Sequence, residues 1–275
     1  MAKPKPGEEA AADEDELRSQ RQFVMAVARG FDVLNAFVPD GGPLGNQEIA
    51  ARSGLPRPTV SRIAFTLTEL GYLVYSPETE KYRLGPGILA LAAAFGAGTR
   101  LADIAHGPMQ ELADATRGTV AIGQADGTDM VYLLLRRSVS RIMLRQDVGS
   151  RIPMATTAMG HAYLHALPAA RRAAQADLLA ERMGPEAPRF REALARTGEE
   201  MAQRGFCVMA GTWESEINGA ATALRLDDGQ DVLALNIGGP AFWLTRESLY
   251  GEIGERLMAA RAELVAAGMP RLTPF

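Results

Sequence analysis

The stretch LPRPTVSRIAFTLTELGYLVYSPETEKYRLG, Leu55 to Gly85, constrains the fold more than any other part of the chain. Val60, Ile63, Ala64, Leu67 and Leu70 fall at the three- and four-residue spacing of one helical face, which predicts a helix over 57–70. Gly71 follows, where a left-handed cap is least costly. Pro58 is tolerated because a first-turn amide has no partner within the helix. YLVYS and KYRLG read as two short strands around the polar turn PETE. Upstream, Phe23, Val27, Phe31, Leu34 and Phe37 form an apolar stripe, and PDGG from Pro39 ends that helix. A short helix lies between, with Asn46 as its expected cap and Ile49 and Ala50 turned inward; SGLP breaks it. Three helices followed by a hairpin make a winged helix-turn-helix.

Such a layout either reads DNA or contacts protein. Off the apolar stripe of the third helix lie Arg57, Thr59, Ser61, Arg62, Phe65 and Thr66, with no carboxylate before Glu69. In a helix-turn-helix the second helix of the motif enters the major groove. There Arg57 or Arg62 can fork to guanine, Thr59 and Ser61 can bond phosphate or a base, and the methyl of Thr59 or Thr66 can meet thymine. Pro58 shares that first turn. Lys81 and Arg83 in the hairpin, and Arg52 with the amide end of the short helix near Gln47, are phosphate candidates. The formal net charge of −4 does not favour nucleic acid, but GEEAAADEDE concentrates acid in the first residues. Net charge averages over domains, so an acidic chain can still carry a DNA-contacting face. Residues 1–20 read as a disordered acidic tail.

The boundaries that follow are a winged domain over 21–85, a helical linker over 86–100 beginning at GPG, and a second domain over 101–275. Leu101, Ile104, Met109 and Leu112 predict a helix with Pro108 as a kink. TVAIGQADGTDMVYLLLRRSV gives two strands around DGTD. A polar segment with Arg141, Arg145 and Asp147 leads into VGSRIPMATTAMGHAYLHAL, a loop feeding a helix. Residues 169–205 are helical and charged, GFCVM reads as a strand, and GAATALRL with DVLALNIGG forms a hairpin around DDGQ. A last helix is expected from Thr245 to Ala267. Thr245 is its cap, without a full capping box because Ser248 stands where glutamate or glutamine would serve. Strands on both sides of a helical insertion predict an α+β domain with an antiparallel sheet.

The segment from Val24 to Gly85 resembles the N-terminal domain of the IclR family of bacterial transcription regulators, in VARGFDVLNAF, EIAARSGLPRPTVSRIAFTLTELGYL and KYRLG. The second domain resembles the family's effector-binding domain in VGSRIPMATTAMGHAYL, GFCV, INGAATAL and ALNIGGP. The resemblance implies a GAF-like sensor fold for a small carboxylate or aromatic acid. It also implies binding to a double-stranded operator as a homodimer that can pair into a dimer of dimers. It places pocket walls at Ala158 and Met159, Thr222, Asn236 and Gly238, with Thr212 at a polar contact. From the residues themselves, PMATTAMG offers backbone amides and the hydroxyls of Thr156 and Thr157 at a helix start, which suits an anion. Trp213 either covers a ring-bearing ligand or anchors its loop. Met130, Leu133, Leu135, Ile142 and Met143 either line an apolar cavity or fill the core.

An enzymatic reading has few residues to draw on. Cys207 sits among apolar strand neighbours, as a buried structural thiol does. His161 and His165 stand four apart on a helix, but Ala162 replaces the glutamate that a zinc-hydrolase motif places beside the first histidine. There is no phosphate-cradling loop and no dinucleotide fingerprint, so neither catalytic residues nor a cofactor nor a metal is expected. The longest apolar run, ILALAAAFGAG, is too short to span a bilayer. A single cysteine permits no internal disulfide and points to the reducing cytoplasm.

Overall fold

The computed structural model describes residues 23–38, 41–97, 101–138, 146–225 and 232–268. The tail 1–20, the residues Arg141, Ile142, Met143 and Arg145, and the turn DDGQ lie outside them. The described residues divide into two compact units between Phe95 and Gly96.

The first unit contains α1 (Met25–Asn35), α2 (Asn46–Ser53), α3 (Arg57–Glu69) and an antiparallel hairpin of β1 (Leu73–Ser76) and β2 (Lys81–Leu84). Its core is Val33, Phe37, Leu44, Ile49, Val60, Ala64, Leu67 and Leu73. Gly54, between α2 and α3, adopts φ 70°, the left-handed geometry that lets α3 cross α2 sharply. The hairpin gains a third partner, because Leu44 and Tyr82 exchange both backbone hydrogen bonds at 2.8 and 2.9 Å.

Two expectations change here. The stripe Phe23, Val27, Phe31 is exposed, and Val33, Ala36 and Phe37 carry α1 into the core. Val33 projects from the side opposite Phe31, so α1 bears two apolar stripes and periodicity alone does not choose between them. The cap of α2 is Gly45, not Asn46. The Gly45 N–H donates to a Glu48 carboxylate oxygen at 2.7 Å, half of a capping box that needs no side chain at the cap.

Helix α4 spans Pro86–Ala97. The second unit runs α5 (Leu101–Thr116), β3 (Thr119–Asp126), β4 (Asp129–Arg137), β5 (Arg151–Pro153), α6 (Ala158–Ala166), α7 (Ala169–Met183), a 3-10 turn at Gly184–Glu186, α8 (Ala187–Arg204), β6 (Cys207–Ala210), β7 (Ile217–Arg225), β8 (Val232–Pro240), α9 (Arg246–Tyr250) and α10 (Glu252–Ala266). The strands form one six-stranded antiparallel sheet in the order β5-β4-β3-β8-β7-β6. Alternation along β8 divides the core. Leu233, Leu235 and Ile237 pack with Met109 and Leu112 of α5 and Leu257 and Leu264 of α10. Val232 and Ala234 face the other way, toward Met159, Leu179 and Phe190 of α6, α7 and α8.

Helix α5 passes through Pro108 without interruption. Leu101, Ala105, Met109 and Leu112, before and after the proline, are all buried on the sheet, and that packing holds the helix across the lost hydrogen bond. The expected terminal helix is two, α9 and α10, separated at Gly251. Thr245 caps the first by accepting from the Ser248 N–H at 3.2 Å.

Candidate functional site

The outward face of α3 is set by what its inward face buries. Val60, Ala64 and Leu67 point to the core, and at 3.6 residues per turn the opposite ridge is Pro58, Arg62, Phe65 and Glu69. Ser61 flanks that ridge on one side and Thr59 and Thr66 on the other. Arg57 stands in the first turn, off the ridge. Arg57, Pro58, Ser61, Arg62 and Thr66 are exposed, and Thr59 is half-buried. The side chains of Arg57, Arg62 and Arg83 take no ion pair or hydrogen bond among the described residues. Phe65, 64% exposed, is the residue that a polar reading of this face passes over. Its signal was present in the sequence as an aromatic outside the core stripe.

Two basic residues are already engaged within the unit. The Lys81 ammonium lies 3.2 Å from a Glu48 carboxylate oxygen and ties the hairpin to α2. The Gly45 amide, then Lys81, hold that carboxyl below its ordinary range. Arg52 donates to the Ala36 carbonyl at 3.1 Å and so closes the end of α1. Of the two basic side chains expected to meet phosphate from the hairpin, Arg83 is the one that projects freely.

In the second unit, a cavity opens where α6 starts, over the middle of the sheet. It is lined by Thr156, Thr157 and Ala158, by Thr212 and Trp213 of the β6–β7 loop, and by Asn218, Asn236 and Gly238 from the strands, among others. Its space is about 40 Å³, room for a few waters at roughly 10–15 Å³ each. A larger occupant therefore requires a wall to move. Gly219 and Gly238 are paired across β7 and β8 and put no side chain on the sheet there. Thr157 caps α6, accepting from the Gly160 N–H at 3.3 Å while donating to the Pro153 carbonyl at 2.7 Å. The first amides of any helix lack intrahelical partners and carry its positive end, so this wall favours an anion. Thr212 donates to the Thr156 carbonyl at 2.8 Å and fastens the loop carrying Trp213 to the same helix start. Trp213 is half-buried: one part packs on the core below α6, another lines the cavity.

Two of the expected wall residues point elsewhere. Met159 is fully buried, and its sulfur lies against Gly123 of β3. Thr222 faces away from α6 and donates to the Gly205 carbonyl at 2.7 Å. Ala221, its neighbour, takes the α6 side instead. Met130 and Leu135 fill the core beneath α6, and Leu133 packs on the opposite face with α5. Tyr132, Met209, Ile152 and Asn218 join the cavity unannounced. Tyr132 stands with Met130 and Leu135 on the inward side of β4 as its one aromatic, a signal that the register of that strand would have made legible. Burial pushes its phenol up to about 12, opposed by the Asn236 amide.

The remaining candidates for chemistry are structural. Cys207 is wholly buried, and burial then the Glu200 charge push its thiol far above the ordinary range. Both ring nitrogens of His161 are engaged, Nε2 with the Ala155 carbonyl at 2.9 Å and Nδ1 with the Thr197 hydroxyl at 2.8 Å. His165 Nε2 meets the Leu194 carbonyl at 3.0 Å and the same hydroxyl at 3.1 Å. Among the described residues no group of three potential metal ligands occurs, and no helix is long and apolar enough to cross a membrane.

Burial pushes the His161 imidazole down to about 4, with the Ala155 contact opposing and His165 and Arg196 adding to the fall. The folded chain therefore binds fewer protons than the unfolded chain between pH 6.5 and 4. Stability from this group is complete above pH 6.5 and is lost as pH falls to about 4, on the order of 3 kcal/mol in all. Urea titrations at pH 7 and pH 4.5 should show the second unit losing more stability in the wild type than in His161→Gln. Equal losses would mean that His161 does not titrate differently in the two states.

Residues 26–77 match the IclR helix-turn-helix domain, and residues 96–265 match the domain described as bacterial transcriptional regulator IclR C-terminal. The HTH-type transcriptional regulator TsaQ1/TsaQ2 of Comamonas testosteroni is 28% identical over 256 residues, covering 91% of this chain and 92% of its own. The crystal structure of an IclR family transcriptional regulator from Brucella abortus aligns at 37% identity with a TM-score of 0.75, over 90% of this chain and 94% of that one. An IclR homologue from Microbacterium hydrocarbonoxydans, crystallised in complex with 4-hydroxybenzoate, shares the fold at a TM-score of 0.73 and 22% identity, over 90% of this chain and 100% of that one.

Proposed function

The chain belongs to the IclR family of bacterial transcriptional regulators, and from that membership we propose that it is a ligand-responsive regulator of a catabolic or metabolic operon. The DNA-binding unit docks α3 in the major groove of a near-palindromic operator. Arg62 on the central ridge reads a base, flanked by Pro58, Thr59, Ser61 and Thr66. Arg57 and Arg83 neutralise phosphate. The protein acts as a homodimer that can pair into a dimer of dimers, so that two copies of α3 reach successive turns of the duplex.

A small organic or aromatic acid enters the cavity at the start of α6, held by Thr157, Ala158, Thr212, Trp213, Asn236 and Gly238. The observation that carries this reading is the pairing, in one chain, of an outward helix ridge whose arginine, Arg62, has no internal partner with a cavity closed by a helix N-terminus. The acid acts by favouring one of two arrangements of the dimer, one of which fits the operator better.

The test is retardation of duplexes selected by the protein from a random pool. Specific binding should weaken steeply as salt rises, in proportion to the phosphates contacted. It should also change in apparent affinity when acids are added. Failure to select any duplex sequence would return the winged unit to protein contact and overturn the regulator reading.

A further inference from the structure

One polar atom at the cavity has no partner. Asn236 is 8% exposed, and its side-chain oxygen Oδ1 is buried without a hydrogen bond among the described residues. A buried amide oxygen left unpaired costs about 1–3 kcal/mol, so such groups are rare in folded chains. Its position explains why no neighbour satisfies it. Across the ladders Asn236 faces Ala121 on β3 and Ala221 on β7, and neither methyl can reach over or donate. Along its own strand, Gly238 is the next residue on the same face. The amide end of Asn236 is directed to the Tyr132 phenol. The oxygen is thus an acceptor at the cavity floor, and the amides at the start of α6 are donors at its wall.

We propose that the effector is an organic acid that also carries a hydrogen-bond donor, a hydroxyl or an amino group, which Asn236 Oδ1 accepts while the acid group lies at the start of α6. This rests on the reading of the cavity as the effector site. The two ends of the ligand are held by opposite chemistry, which fixes its orientation. An acid with no donor leaves Oδ1 buried and unpaired, so the site selects against it. A site built to hydrogen-bond a ligand's hydroxyl rejects analogues lacking it far more strongly than an apolar pocket rejects a missing methylene. An ether of the same size accepts but does not donate, and it faces Oδ1 lone pair to lone pair.

The experiment is calorimetric titration of the full-length protein with 4-hydroxybenzoate, 4-aminobenzoate, 4-methoxybenzoate and benzoate, and with the smaller pair lactate and propanoate. Donor-bearing acids should bind roughly 10-fold or more tightly than donor-free partners of like size. In Asn236→Leu, which keeps the shape and removes the acceptor, that preference should collapse to within about 2-fold while donor-free acids still bind. The wild-type comparison stands by itself if that variant folds poorly. Acids that bind with 4-methoxybenzoate equal to 4-hydroxybenzoate would overturn the donor requirement and leave the cavity reading intact. If no acid of either series binds, the cavity reading falls and the inference with it.

Discussion

Arg62→Ala will bind its selected operator roughly 10- to 100-fold more weakly than the wild type, a loss of about 1–3 kcal/mol. Three features set that size. Arg62 lies on the ridge directly opposite the buried Val60, Ala64 and Leu67. Its guanidinium is exposed and takes no internal partner, so removing it breaks nothing within the fold. A bidentate contact to guanine is also direction-dependent, so the loss should concentrate on one base position of the operator. Arg83→Ala makes the contrast. Removing a cation that neutralises phosphate weakens binding to all duplexes alike and reduces the salt dependence by about one unit of slope. Fluorescence anisotropy across single-base variants of the operator separates the two. Ligand titration should be unchanged in both variants. A uniform loss for Arg62→Ala would move it from base reading to phosphate neutralisation, and no loss would take α3 out of the groove.

Gly160→Ala will lower the melting temperature of the effector unit by several degrees, at a cost of about 3 kcal/mol. Gly160 is the third residue of α6, and a methyl placed there would lie 2.1 Å from the Met154 carbonyl oxygen and 2.5 Å from the Met154 Cα. Those are main-chain atoms, so no side-chain rotation relieves the overlap. The helix start must lift from the chain leaving β5, and with it the amides and Thr157 that form the cavity wall. Acid binding should fall together with stability. Gly30→Ala is the control, since a methyl there meets nothing within 4 Å and α1 gains helix propensity, about 0.5–1 kcal/mol. Scanning calorimetry of both variants decides the matter. A Gly160→Ala protein that melts like the wild type would show that α6 tolerates displacement.

The parts of the fold legible in the sequence are those that local rules decide. Val60, Ala64 and Leu67 gave α3 its register, Gly71 its end, and the short polar turns fixed the hairpins. Where two local answers compete, the choice rests on tertiary packing. Helix α1 has apolar residues on two sides, and only the closure of Leu44 onto Tyr82 and of Ile49 onto α3 shows why Val33 goes inward. Pro108 is a strong breaker in isolation, overridden by a buried row of Leu101, Ala105, Met109 and Leu112. At the candidate cavity the difficulty was strand parity. Thr222 and Ala221 differ by one residue and face opposite sides of the sheet, and the family resemblance located the strand without fixing the side. Tyr132 comes from β4, remote in sequence from β8, so its inward position could be read along its own strand but its meeting with Asn236 could not.

The alanines beside Asn236 also bear on how a regulator of this kind changes its signal over generations. Ala121 and Ala221 project from rigid neighbouring strands toward the same space, and each is a codon change away from serine, valine or threonine. Both are buried in the core beneath α6, Ala121 with Met159 and Ala221 with Ala158, so heavy atoms added there press on the start of that helix from below. On the proposed reading of the cavity, a substitution at either alanine would change which acid fits by shifting that helix start, while the helix-turn-helix half of the chain stays as it was.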